Sequence, residues 1–130
     1  MDERHDDETT PQFGHEGLDA YTVSREALIK GEVIARGLPR GYGTLEDQLR
    51  RALLSTVLGV AEAAARSGAD RMARFRCARG EASEAAAALE VIMLLGLAPA
   101  AQVEAVRALL ARVYAMLTRL SKAGVQHRRS

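Results

Sequence analysis

The sequence predicts an all-α protein: an antiparallel up-down-up-down four-helix bundle with a disordered acidic N-terminal tail. Alanine and leucine dominate its apolar residues, aromatic residues are only 4% of the chain and tryptophan is absent. Such a composition favours a core of small, strongly helix-forming side chains. Apolar residues recur at helical spacing in four segments separated by glycine and proline, and no stretch alternates as a β-strand does.

The chain divides into three regions. Residues 1–17 carry six acidic side chains against Arg4, a net charge of −5, whereas the remainder carries +6. A segment so polar cannot bury enough apolar surface to offset its ordering entropy, so we expect residues 1–16 to be disordered. Residues 17–123 should form the bundle, and residues 124–130 a short basic tail. The acidic tail either shields a basic surface or only aids solubility, and both interpretations stay open.

The first helix is predicted over about residues 18–36, ending in the glycine- and proline-rich loop that follows. Its larger apolar side chains recur on one broad face, which we expect to pack into the core. They are Leu18, Tyr21, Leu28, Ile29 and Val33.

The second helix is predicted from Leu45 to about Arg66, and its stretch Ala52–Ala65 is apolar nearly all the way round. Because an outer helix of a monomeric bundle needs only one apolar stripe, we expect a second subunit to cover this helix. The alternative is that it is the central helix of its own bundle. Glu62 interrupts the apolar run, which is also too short for the ~20 residues that span a bilayer, so no membrane partner is expected.

The third helix should start near Asp70 and end at Leu95, before Gly96. Gly80 lies mid-helix, where it costs about 1 kcal/mol relative to alanine, and suggests a close helix crossing. The fourth helix should begin beside Pro99 and end at Gly124. Its apolar seam recurs at spacings of three and four: Val103, Val106, Leu110, Val113, Leu117 and Leu120.

Two ion pairs follow from the predicted reversal near Gly68. Antiparallel packing of the second and third helices aligns residues whose numbers sum to about 136. Arg51 then meets Glu84, and Glu62 meets Arg74. Because eleven residues make about three helical turns, both pairs lie on one face and can fix the register of the two helices.

Arginine suggests a function. Only two of the 18 basic residues are lysines, and a group of arginines surrounds the start of the third helix. Guanidinium groups bind phosphate bidentately, so we expect the surface to bind nucleic acid, RNA or DNA, by its backbone. The candidate residues are Arg50, Arg66, Arg71, Arg76 and Arg79. The rival interpretation is a protein-interaction scaffold or adaptor whose charged faces are simply solvated.

No catalytic, metal or cofactor site is predicted. His5, His15 and His127 all fall in the predicted tails, and no general base accompanies Ser55 or Ser83. Cys77, the single cysteine, cannot form an intrachain disulfide and is expected to be buried. The acidic N-terminus lacks the apolar region of a secretory signal, so a cytoplasmic location is expected. We therefore expect a non-enzyme.

Scattered residues over about 18–121 resemble the 23S rRNA intervening-sequence protein family of four-helix bundles. The resemblance rests on Gln48-Leu-Arg-Arg-Ala-Leu-Leu-Ser55, Val60-Ala-Glu62, Arg66, Arg74-Phe-Arg-Cys-Ala-Arg-Gly80, Glu84 and Leu94-Leu-Gly96. It implies a homopentamer, and it implies a distant likeness to the accessory protein of diversity-generating retroelements, which binds nucleic acid and a reverse transcriptase. Gly59 and Glu81 stand where the family usually has asparagine and serine.

Overall fold

The computed structural model describes the backbone of residues 18–129 and the side chains of residues 18–122, and this part of the chain contains four helices and no strand. They are α1 (Asp19–Arg36), α2 (Gly43–Ala64), α3 (Gly68–Leu94) and α4 (Ala100–Arg129). The all-α four-helix prediction is confirmed. The predicted acidic tail, residues 1–16, lies outside the described residues.

Each helix packs against the helices before and after it, and α1 packs against α4 to complete the bundle. Short connections make neighbouring helices antiparallel, so the start of α1, the end of α2, the start of α3 and the second half of α4 share one end. We call this end the N-terminal end. Among the described helices, α2 contacts only α1 and α3, so it is not a central helix of its own bundle.

The core is made of aliphatic and alanine side chains around one large residue, the fully buried Phe75. The predicted seam of α4 is confirmed from Val103 to Leu117, where its side chains are at most 1% exposed. Leu120 is partly buried.

The predicted core face of α1 is wrong in two places. Ile29 is 65% exposed and Val33 is 57% exposed. The buried stripe of α1 consists largely of small residues: Ala20, Val23, Ser24, Ala27, Gly31, Ile34 and Ala35. Small side chains let α1 lie close to its neighbours, and Ile29 and Val33 are left on the outer side of the helix. Leu18, Tyr21 and Leu28 pack against the core as predicted.

Close helix crossings occur at glycines other than the predicted one. A Cβ added at Gly31 would lie 2.3 Å from Leu53 Cδ1, and one added at Gly59 would lie 3.1 Å from Ala78 Cβ. Gly80, in contrast, has nothing within 4 Å of such a Cβ and is exposed. It therefore marks no crossing.

The last helix is longer than predicted, because α4 continues through Gly124 to Arg129. Residues 124–129 are thus helical. A glycine costs a helix only about 1 kcal/mol, and no proline follows to stop this one. Among the described residues, no helix has both the length and the apolar character needed to cross a membrane.

Candidate nucleic-acid interface

The guanidinium of Arg50 is paired with two carboxylates. Its Nε and Nη2 donate to Glu32 Oε1 and Oε2, each at 2.9 Å, and its Nη1 donates to Glu46. The hydrogen bond to Arg50 holds the pKa of Glu32 below its ordinary value, and the same bond raises the pKa of Arg50. Arg50 also lies in the first third of α2, far along the bundle from the start of α3. It is not part of an arginine cluster there.

Arg66 belongs to a four-residue network at the α2–α3 connection. It contacts Asp70 at 3.1 Å and Glu62 at 3.3 Å. Arg74 contacts the same two carboxylates, Glu62 at 3.4 Å and Asp70 at 3.6 Å. The predicted Glu62–Arg74 pair is therefore confirmed. With two arginines and two carboxylates the network is neutral, which leaves Arg66 little attraction for phosphate.

The second predicted pair does not form directly. Arg51 Nη2 donates to the side-chain oxygen of Gln48, and Gln48 Nε2 donates to Glu84 Oε1 at 3.3 Å. Gln48 lies almost one turn before Arg51 and nearer to α3, so its amide reaches Glu84 first. A glutamine relay replaces the expected ion pair.

Arg71 joins α3 to the end of α2. Its Nη1 donates to the Ala64 carbonyl at 3.1 Å, and its guanidinium lies 5.1 Å from the ring centroid of Phe75. These contacts satisfy a carbonyl at a helix C-terminus and cover an aromatic core residue. These contacts give Arg71 a structural role in the bundle.

Arg79 lies on the side of α3 that faces α4. Its Nη1 is 3.4 Å from Thr118 Oγ1, and its guanidinium lies 5.5 Å from the ring centroid of Tyr114. Arg76, three residues earlier, lies almost one turn away on the same side and is exposed. Within the described part of the chain, Arg76 makes no ion pair.

The second half of α4 continues this positive surface. Arg112, Arg119 and Lys122 are exposed, and no carboxylate of the described residues lies within ion-pair distance of them. Lys122 follows Thr118, the partner of Arg79, by one turn, and Arg119 is three residues from Lys122. We call Arg76, Arg79, Arg119 and Lys122 the α3/α4 basic surface.

The predicted cluster of five arginines is thus divided. The structure brings Arg76 and Arg79 together and places Arg50, Arg66 and Arg71 in three other settings. Arg119 and Lys122 were missed by the sequence reasoning, which considered only arginines near the start of the third helix. A usable signal existed, because the chain has no acidic residue after Glu104.

An apolar surface lies on the other side of the bundle. Ile29, Leu54 and Leu58 are 65%, 48% and 58% exposed. The closeness of Gly31 to Leu53 and of Glu32 to Arg50 sets the α1/α2 register, which places Leu54 beside the turn that carries Ile29. Leu58 is one turn further along α2, where it also lines the groove between α2 and α3. We call these three residues the α1/α2 apolar surface.

The described residues include no group of three or more histidine, cysteine, aspartate or glutamate side chains arranged to hold a metal ion. Cys77 is exposed, contrary to the expectation of burial. It lies on the α2-facing side of α3, where Gly59 and Ala78 bring the helices close and leave its thiol at the rim of a groove.

Comparison with known proteins adds no family to this picture, since no protein-family model matches the chain and no curated protein is significantly similar to it. The resemblance to the intervening-sequence family stays a prediction.

Proposed function

We propose that this protein is a non-enzymatic, self-associating helical bundle of the cytoplasm that binds nucleic acid, in particular RNA, through the α3/α4 basic surface. The observation that carries the proposal is which of its basic side chains are paired with carboxylates and which are not. Arg76, Arg119 and Lys122 have no carboxylate partner among the described residues, whereas Arg50 and Arg66 do. Unpaired, exposed cations on adjacent helices are available to phosphate without first breaking an ion pair.

The guanidinium of Arg79 is held in place by neighbouring side chains. Tyr114 and Thr118 hold its guanidinium, so less side-chain freedom is lost when it binds phosphate than for an unsupported arginine. The planar group can then donate two hydrogen bonds to one phosphate.

This surface offers few groups that could recognise a particular nucleotide sequence. Of the aromatic residues that the structure describes, only Tyr114 lies beside the basic side chains, and Arg79 already covers its ring. Recognition of single-stranded bases depends on several stacking groups. The binding is therefore proposed to follow the phosphate backbone without sequence preference.

Fluorescence-anisotropy titration of a structured RNA and a duplex DNA at two salt concentrations tests the proposal. Light scattering on the same sample gives the assembled mass. Contacts to three or four phosphates give a slope of log K against log salt of about −2 to −4. Absence of binding at low salt by a folded protein contradicts the proposal.

A second candidate function rests on the α1/α2 apolar surface. Leu54 and Leu58 project from a helix that its own bundle leaves uncovered on the outside, which favours contact with a second copy or another protein. The homopentamer and the reverse-transcriptase partner, both implied by the resemblance, belong with this candidate. If a protein partner binds with an affinity that does not depend on salt and no RNA binding is found, the scaffold role is favoured.

A further inference from the structure

The acidic N-terminal segment joins the bundle level with the α3/α4 basic surface, at the side of α4 that faces α1. Lys30 and Val33 of α1 share a groove with Gln102 and Ala105 of α4, so opposite residues have numbers that sum to about 135. The same register puts Leu18, the first described residue, level with Thr118 and the residues next to it. Thr118 is the residue that Arg79 contacts.

Charge complements this position. Residues 1–17 carry a net charge of −5, and five of their six acidic residues lie within the first eight positions. The α3/α4 basic surface carries four cations, none of which has a carboxylate partner among the described residues. The residue to which the acidic segment is joined and the basic surface thus lie at the same end of the bundle.

The segment is long enough to reach. An extended chain spans roughly 3.3 Å per residue, so ten residues cover about 33 Å. An α-helix with its side chains is only about 10 Å wide. The acidic residues at positions 2–8 can therefore cross α4 and lie against Arg76 on α3.

We propose that residues 1–17 dock on the α3/α4 basic surface and compete there with nucleic-acid phosphate. The competition, though not the docking, rests on the proposed function. A short tether raises the effective concentration of the segment at the surface to the millimolar range. Each exposed ion pair is weak and screened by salt, so a longer polyanion can displace the segment.

Docking can be measured without nucleic acid. Cys77, the single cysteine, is exposed on α3 and accepts a nitroxide label in the full-length chain. We expect the label to broaden the amide NMR signals of residues 1–17 at low salt, and the broadening to disappear at high salt. It should also disappear in the full-length variant D6N/D7N/E8Q. Equal broadening in that variant, or none in the wild type at low salt, overturns the docking.

Competition is measured by RNA affinity at low salt. D6N/D7N/E8Q should bind RNA about threefold to tenfold more tightly than the wild type, since each lost ion pair is weak. The matched control is D47N/E81Q/E90Q, which removes three acidic charges that make no ion pair in the bundle. Equal gains in the two variants overturn the competition and indicate a general charge effect.

The two measurements separate this inference from the function on which it rests. Broadening without any RNA binding supports docking and removes the proposed function. RNA binding without broadening overturns docking and leaves the proposed function in place.

Discussion

Glu32 on α1 and Arg50 on α2 are joined by two parallel hydrogen bonds of 2.9 Å each. A guanidinium held in this bidentate way fixes the relative position of two helices. The same contact removes Arg50 from any nucleic-acid surface, because its charge is already compensated by Glu32 and Glu46.

The Glu32–Arg50 contact makes stability depend on pH. The pKa of Glu32 lies below its ordinary value in the folded protein, so its stabilising contribution is present above the pKa of the unfolded chain, about 4.3. The contribution is lost as pH falls through the lower, folded-state pKa. E32Q should therefore be less stable than the wild type at pH 7, and the difference should shrink below about pH 4. Urea unfolding followed by circular dichroism from pH 7 to pH 2.5 measures it.

The control for this prediction is E90Q, which changes an exposed carboxylate that has no ion-pair partner in the described part of the chain. The pH dependence of E32Q is judged relative to that of E90Q, which removes one carboxylate without breaking an ion pair among the described residues. If the E32Q difference stays constant down to pH 2.5, the bidentate contact does not govern the titration of Glu32.

Two glycine-to-alanine substitutions should have opposite effects. G80A should stabilise the protein by about 1 kcal/mol, because Gly80 lies mid-helix with open space around it. G31A gains the same helix propensity but places a Cβ 2.3 Å from Leu53 Cδ1. Overpacking costs about 1–3 kcal/mol, so G31A should be destabilised by up to about 2 kcal/mol. Equal stabilisation of both variants, measured by urea unfolding, contradicts the close α1/α2 approach.

Arg71 and Arg76 should separate stability from binding. R71A loses a hydrogen bond to Ala64 and the contact with Phe75, so its free energy of unfolding should fall by about 1 kcal/mol. R76A should change stability by less than about 0.5 kcal/mol, because Arg76 is an exposed surface residue, while weakening RNA binding. The reverse pattern shows that these roles are assigned wrongly.

Self-association should depend on the outer side of α2. L54Q/L58Q replaces two exposed leucines of the α1/α2 apolar surface, so the folded monomer should keep its stability and lose the proposed self-association. Light scattering measures the mass. I29Q tests whether α1 shares the interface, and V91Q, at an exposed valine of α3, is the control. An unchanged mass in L54Q/L58Q removes this surface as the interface.

Regular patterns of large residues predicted the structure well. The Val103–Leu117 seam and the Glu62–Arg74 pair both follow from helical spacing and chain reversal alone. The prediction failed where helices pack closely because their facing residues are small. The buried side of α1 is set by small residues such as Gly31, while Ile29 faces outward.

The candidate site was predicted only in part, because nearness in sequence does not decide which side of a helix a residue occupies. Arg74 and Arg76 are two residues apart, yet Arg74 faces Glu62 on α2 and Arg76 lies on the α4 side. Lys122 is distant from both in sequence, and the antiparallel packing of α3 and α4 brings it to the same surface as Arg76.

The most direct test of the account compares charge reversal at the two ends of the bundle. R76E/R119E changes the α3/α4 basic surface, and R36E/R40E makes the same change in net charge at exposed residues of the opposite end. RNA affinity is measured by anisotropy as a function of salt. We predict that R76E/R119E lowers affinity at least tenfold and reduces the salt slope by about 1.5, while R36E/R40E has a small effect. Equal losses in both variants, or a loss only in R36E/R40E, contradict the α3/α4 basic surface as the binding site.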